Sequence, residues 1–210
     1  MTIEHKIKSQ FSKIFKPSDI TPFKQTADYY FKNAATLKKK KIDAPQSLKL
    51  LFRNIQKRLY VGIGTELILK AFYLKNGFNI NKPNRNIKIK FPEKINNLNK
   101  TDLNPSDTYS LSQLIDKLGG IIKKPSDYNK ILEGLKICKV FRNKEGHVAV
   151  NRHKFDKKDF TKIEYSIKRI YEIGFSENLE FKISMNKEDG QGKFEIKQEH
   201  ITRNLSPIRV

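Results

Sequence analysis

The chain is 210 residues long and 37% hydrophobic, with 14 Phe and 8 Tyr. That is enough apolar surface to offset the entropy of ordering, which argues against wholesale disorder and for one domain or one domain plus a small appendage. No run approaches the roughly 18 apolar residues of a membrane span and the start MTIEHKIKSQF lacks the apolar core of a secretory signal, so a cytoplasmic protein with no membrane partner is expected. One cysteine, Cys138, excludes an internal disulfide and a cysteine-rich zinc site. No paired metal-ligand spacing occurs, so neither a metal nor a cofactor is expected.

Lys plus Arg number 43 against 22 Asp plus Glu, a formal charge of +21. Such an excess points to a polyanion, and to nucleic acid first, because Lys and Arg displace the counterions of a phosphate backbone. Most of the cations, 35 of 43, are Lys in a chain also rich in Asn and Ile, so part of the excess reflects codon composition. A merely basic soluble domain is the second reading, and an anionic membrane surface a distant third.

Residues 1–25 carry no sustained period and contain Pro17 and Pro22, as in an arm or short helix leading into the fold. From Thr26 a helix is predicted through Ala27, Tyr30, Phe31, Ala34 and Leu37, closed by Lys38–Lys41 at the negative end of its dipole. A longer helix follows: Leu48, Leu51, Phe52, Ile55, Leu59, Ile63, Leu67, Ala71 and Leu74 form one stripe, stopped at Gly77. Gly62 and Gly64 interrupt it and predict a kink or a close helix–helix approach, since each costs about 1 kcal/mol against Ala. Glu66 has two readings, an exposed ion pair with Lys70 four residues on, or a buried acid facing the active helix.

Residues 79–108 read as a basic insertion, with a short strand or extended loop where Ile87, Ile89 and Phe91 alternate with Lys88 and Lys90. Ser110 and Gln113 form a capping box ahead of a short helix ending at Gly119-Gly120. Asp127 is expected to cap the next helix, whose stripe is Tyr128, Ile131, Leu132, Leu135, Cys138 and Phe141. A last long helix is predicted from Asp156 to Ile173 with Gly174 at its end. Beyond it, over 176–210, Leu179, Phe181, Ile183 and Met185 alternate with polar residues, Gly190 and Gly192 follow, and Phe194 and Ile196 alternate again, the pattern of a β-hairpin that must pack on the helices or on a partner. The fold class expected is mainly α.

One heptapeptide stands out: Phe141-Arg142-Asn143-Lys144-Glu145-Gly146-His147. The stripe of the preceding helix continues in phase to 142, so Arg142 emerges on the buried side, where a guanidinium needs an acid, water or a bound anion. His147 would lie about 140° away on a continued helix, and Gly146 lets the chain turn and bring the imidazole back.

Arg142, four intervening residues and His147, with Asn143 directly after the arginine, resemble the RxxxxH motif of the HEPN superfamily, the higher eukaryotes and prokaryotes nucleotide-binding domain. Thr65-Glu66-Leu67-Ile68-Leu69-Lys70-Ala71 resembles the long helix that precedes that motif, and the likeness covers roughly 26–175. It implies a helical bundle that homodimerises so that two motifs form one cleft. It further implies either a metal-independent endoribonuclease with a toxin or phage-defence role, restrained by an antitoxin or nucleoprotein partner, or an inactive relative that only binds nucleotides or partners.

The chemistry is arguable from the side chains. RNA carries its own nucleophile, the 2′-OH, so cleavage needs proton transfer and neutralisation of the charge developing on phosphorus. His147, with a reference pKa of about 6.5, suits the first and Arg142 the second, and Asn143 is placed to orient either. A single imidazole is half of an acid–base pair, a chemical reason to expect a homodimer. Lys139, Lys144 and Arg152 are the expected RNA contacts. His153 reads first as an exposed loop histidine and second as a substrate contact; His5 and His200 are incidental, and Cys138 is an inert core residue. Against catalysis stands the reading in which a cation and a histidine merely complement a helix C-terminus.

Overall fold

The computed structural model describes residues 20–37, 46–122, 124–144, 155–183 and 194–197. Among these residues five α-helices dominate, accompanied by two small antiparallel two-stranded sheets, which bears out the mainly α class with a terminal hairpin. No helix among the described residues is long and apolar enough to cross a membrane.

Helix α1 (Thr21–Thr36) begins five residues before the expected Thr26. Pro22 does not break it, because a first-turn residue has no intrahelical partner for its missing N–H. Ala27, Phe31, Ala34 and Ala35 bury one face of α1. Lys38–Lys41, expected to close it, lie outside the described residues.

Helix α2 (Gln46–Lys75) runs unbroken for 30 residues, about 45 Å at 1.5 Å per residue. It stops where expected, with Gly77 in the left-handed region at φ 74°. The two internal glycines mark close approaches. A Cβ on Gly64 would come within 2.8 Å of the Phe31 ring of α1, and one on Gly62 within 2.6 Å of the backbone nitrogen of Arg142.

The insertion holds β1 (Asn81–Pro83) and β2 (Leu103–Thr108), paired antiparallel with Asn81 opposite Thr108 and Pro83 opposite Leu103. Residues 87–91 form no strand, so the loop reading of the insertion is the one observed there. Phe91 anchors that loop, its ring stacked between Tyr73 (5.3 Å) and Tyr109 (3.8 Å). The insertion thereby joins the core instead of hanging from it.

Helix α3 (Leu111–Lys117) starts on the expected box: Ser110 accepts from the Gln113 amide while the Gln113 side chain accepts from the Ser110 amide. Its carbonyl at Leu114 accepts from the Tyr73 hydroxyl at 2.6 Å, and burial pushes that phenol's pKa up. Helix α4 (Tyr128–Lys144) buries Ile131, Leu135, Cys138 and Phe141, the predicted stripe. The carboxylate of Asp127, read as a cap, is instead held by α5 (Lys157–Phe175), accepting from Tyr165 and, at 2.8 Å, from Arg169 Nε.

Helix α5 is capped by Asp156, which exchanges hydrogen bonds with Asp159. It passes through Gly174 and ends at Ser176, in the left-handed conformation at φ 56°. Gly174 serves packing rather than termination, since a Cβ there would collide with the Phe72 ring of α2. Strands β3 (Asn178–Phe181) and β4 (Phe194–Lys197) form the expected hairpin, with Leu179 opposite Ile196 and Phe181 opposite Phe194. Leu179, Phe181 and Ile183 are buried, the Phe181 ring lies 5.1 Å from Phe31, and the Ile183 amide donates to Glu164, so the hairpin is seated on the bundle. Gly190, Gly192 and Met185 lie outside the described residues.

Candidate functional site

The site is built where α2 and α4 pass closest. Glycine at 62 lets the α4 backbone approach until the Arg142 Cα would be 2.8 Å from a Cβ placed there. One turn further along, Thr65 lies beside the Cys138 thiol, and 62 meeting 142 while 65 meets 138 makes the helices antiparallel. Cys138 is fully buried, as expected of a core residue, and burial pushes its thiol up to about 12.

Arg142 emerges toward α2, as its phase requires. Its Nε donates to Glu66 Oε2 at 2.9 Å, across 76 residues of sequence. Lys70 Nζ donates to the other oxygen of the same carboxylate at 2.7 Å. Both readings of Glu66 therefore hold in part: the Lys70 pair forms, but the acid is mostly buried, at 17% side-chain exposure, and faces α4. Lys70 is buried as well, whereas the Arg142 side chain keeps 38% of its surface in solvent. Two cations share one carboxylate, leaving the cluster with a net positive charge at the surface. Among the described residues Glu66 is the hydrogen-bond partner of Arg142, and the bond is made through Nε, the inner edge of the guanidinium. A planar fork held on one side presents its remaining donors in a fixed direction.

Arg58, one turn before Gly62 on α2, is a second cation at this corner, overlooked in the sequence. Its guanidinium lies over the Phe155 ring at 4.9 Å and the Phe141 ring at 5.8 Å, and those two rings meet edge to face at 4.7 Å. The i, i+4, i+8 spacing of Arg58, Gly62 and Glu66 is the signal that could have found it. Phe155 directly precedes Asp156, the cap of α5.

Asn143 is exposed and follows Arg142 on α4; Lys139, one turn earlier, is half-buried. Lys144 also belongs to α4, and its side chain is outside the described set. His147, Arg152 and His153 lie outside the described residues, as do His5 and His200. No family description, curated protein or solved structure matches the chain.

Proposed function

We propose that the protein is an endoribonuclease that cuts RNA by attack of the 2′-OH on the adjacent phosphorus, without a requirement for metal. The observation that carries the reading is Arg142, fixed through Nε by Glu66 and still partly exposed at the end of α4, within a cluster of net positive charge. Its outward donors suit the non-bridging oxygens of a phosphodiester, whose charge grows in the transition state. His147 in its neutral form takes the 2′-OH proton as O2′ bonds to phosphorus. The bond from phosphorus to O5′ then breaks, and an imidazolium, His147 of the partner subunit, protonates the leaving O5′. The products are a 2′,3′-cyclic phosphate and a 5′-OH. Asn143 orients the phosphate, and Lys139, Lys144, Arg152 and His153 contact the strand. The account entails a cytoplasmic homodimer and, for a cell that makes such an enzyme, a toxin or antiviral defence role under the restraint of a partner.

The Arg142–Glu66 pair also favours a second reading. A guanidinium whose acid comes from its own bundle is a satisfied structural cation, as expected of a non-catalytic RNA-binding or interaction subunit of a nucleoprotein complex. Incubating the protein with mixed RNA in EDTA, beside Arg142→Ala and His147→Ala, separates the two. The nuclease reading expects cutting by wild type alone, with circular dichroism and RNA affinity retained in His147→Ala. Equal cutting by all three, or by none, would overturn it.

A further inference from the structure

We propose that residues 85–90 of the insertion form a docking surface for the phosphate backbone of single-stranded RNA, apart from the Arg142 site; that the polyanion is RNA rests on the reading above. The stretch is suspended between two fixed points. At its start the Asn84 amide donates to the Asp102 carbonyl at 2.8 Å and Asn84 Nδ2 to the Thr101 carbonyl at 2.7 Å. The Ile87 amide then closes a turn onto the Asn84 carbonyl at 2.9 Å. At its end Phe91 is clamped between Tyr73 and Tyr109.

Between these anchors exposure alternates. Arg85, Asn86, Lys88 and Lys90 are exposed, while Ile87 and Ile89 are less so. Of the other cations of the insertion, Lys82 pairs with Asp107 at 3.1 Å, Lys94 donates to the Asn76 carbonyl while lying over the Phe78 ring at 4.0 Å, and Lys100 stands exposed just before β2, outside the tethered stretch. Arg85, Lys88 and Lys90 form no ion pair among the described residues. The acid nearest in sequence, Glu93, is taken up by Asn97 and the Lys94 amide, although it feels the charge of Lys90. Three available cations on a segment held at both ends bind an anion with little further ordering cost. Lysines act as point charges without a base-reading fork, so the contact is to backbone and independent of sequence.

An anionic membrane would ask for apolar side chains to insert beside the cations. Here Ile87 and Ile89 are less exposed than the cations beside them, and the large hydrophobic side chain that stands exposed among the described residues is Tyr29, on α1. The insertion stacks on Tyr73, 11 residues along α2 from the Gly62 crossing, or about 16 Å at 1.5 Å per residue.

The test is binding of labelled single-stranded RNA over a salt series, followed by fluorescence anisotropy with the full-length chain. Each phosphate contact contributes about −0.7 to the slope of log K against log salt, so Arg85→Ala, Lys88→Ala and Lys90→Ala combined should flatten the slope by about 2. Lys88→Arg with Lys90→Arg should keep the wild-type slope, and so should removal of three exposed lysines elsewhere, Lys32, Lys157 and Lys158. An unchanged slope in the first triple variant, an equal loss in the second, or wild-type binding to anionic phospholipid vesicles and not to RNA would each overturn the proposal. If wild type binds but never cuts and the first triple variant still loses slope, the docking surface stands while the nuclease reading falls.

Discussion

Replacing Gly62 by alanine probes the contact on which the site depends. Helix propensity alone would make Gly62→Ala stabilising by about 1 kcal/mol, because α2 is helical on both sides of it. The structure argues the opposite. The added methyl would sit 2.6 Å from the Arg142 amide nitrogen and 2.8 Å from its Cα, which are backbone atoms of a helix and cannot rotate away. Reaching an ordinary contact of 3.4 Å requires α2 and α4 to part by about 0.8 Å. Overpacking of this kind costs about 1–3 kcal/mol. Parting by that amount would also stretch the 2.9 Å bond between Arg142 and Glu66 beyond hydrogen-bond range, at about 1 kcal/mol for a partly exposed charged pair. The balance is a loss of about 1–3 kcal/mol, or roughly 2–12 °C in Tm for a chain of this size. Urea denaturation followed by far-ultraviolet circular dichroism measures it directly. A variant as stable as wild type, or more stable by the propensity increment, would refute the close approach of the two helices and with it the fixed orientation of Arg142.

Two further outcomes follow from the polar network and the core. The Asp127 carboxyl is held below its usual range, first by the Tyr165 hydroxyl and then by Arg169, with burial opposing. A depressed carboxyl stabilises the fold above its unfolded pKa of about 4 and loses that contribution as pH falls through its folded value. Asp127→Asn should therefore cost about 1–2 kcal/mol at pH 7, and the gap to wild type should narrow below about pH 4; a gap that stays constant down to pH 2.5 would contradict the assignment. Cys138, fully buried with its thiol pushed up to about 12, should resist iodoacetamide at pH 7.5 in the native protein and react readily in 6 M urea, a condition of about 6 M being enough to expose the core of most domains of this size. Rapid native labelling would show that the α2–α4 seam opens locally.

The parts of this fold that were legible are those whose signal is local. The stripe from Tyr128 to Phe141 repeats at helical spacing, with Ile131, Leu135, Cys138 and Phe141 buried and Tyr128 and Leu132 partly so, and Ser110 with Gln113 makes its box within four residues. Gly62 and Gly64 were readable as close approaches because glycine inside a helix needs a reason, although the sequence could not name Arg142 and Phe31 as the neighbours. Pro22 hid the start of α1, since proline breaks a helix interior but suits its first turn. Gly174 looked like a stop because the Phe72 ring that requires it lies about a hundred residues earlier in the chain. Asp127 has the chemistry of a cap, and its long-range partners on α5 outcompete that role. Strands β1 and β2 contain Pro83 and Pro105 and pair across an intervening loop, so neither composition nor alternation marked them. In the site, the sharing of Glu66 between Lys70 and Arg142 is half local and half not, which is why two readings of that residue stood side by side. Arg58 was missed because the rings it lies over, Phe141 and Phe155, are more than eighty residues away in the chain.

The central claim is that one guanidinium and an imidazole act on a phosphodiester whose own 2′-OH is the nucleophile. An RNA oligonucleotide that the protein cuts, resynthesised with a single 2′-deoxy nucleotide immediately 5′ of the cut, tests this most directly when product ends are read by mass spectrometry. The account predicts a 2′,3′-cyclic phosphate and a 5′-OH from the parent strand, and no cut at the deoxy position despite undiminished binding. Cleavage at that position, or a 3′-OH paired with a 5′-phosphate, would contradict it.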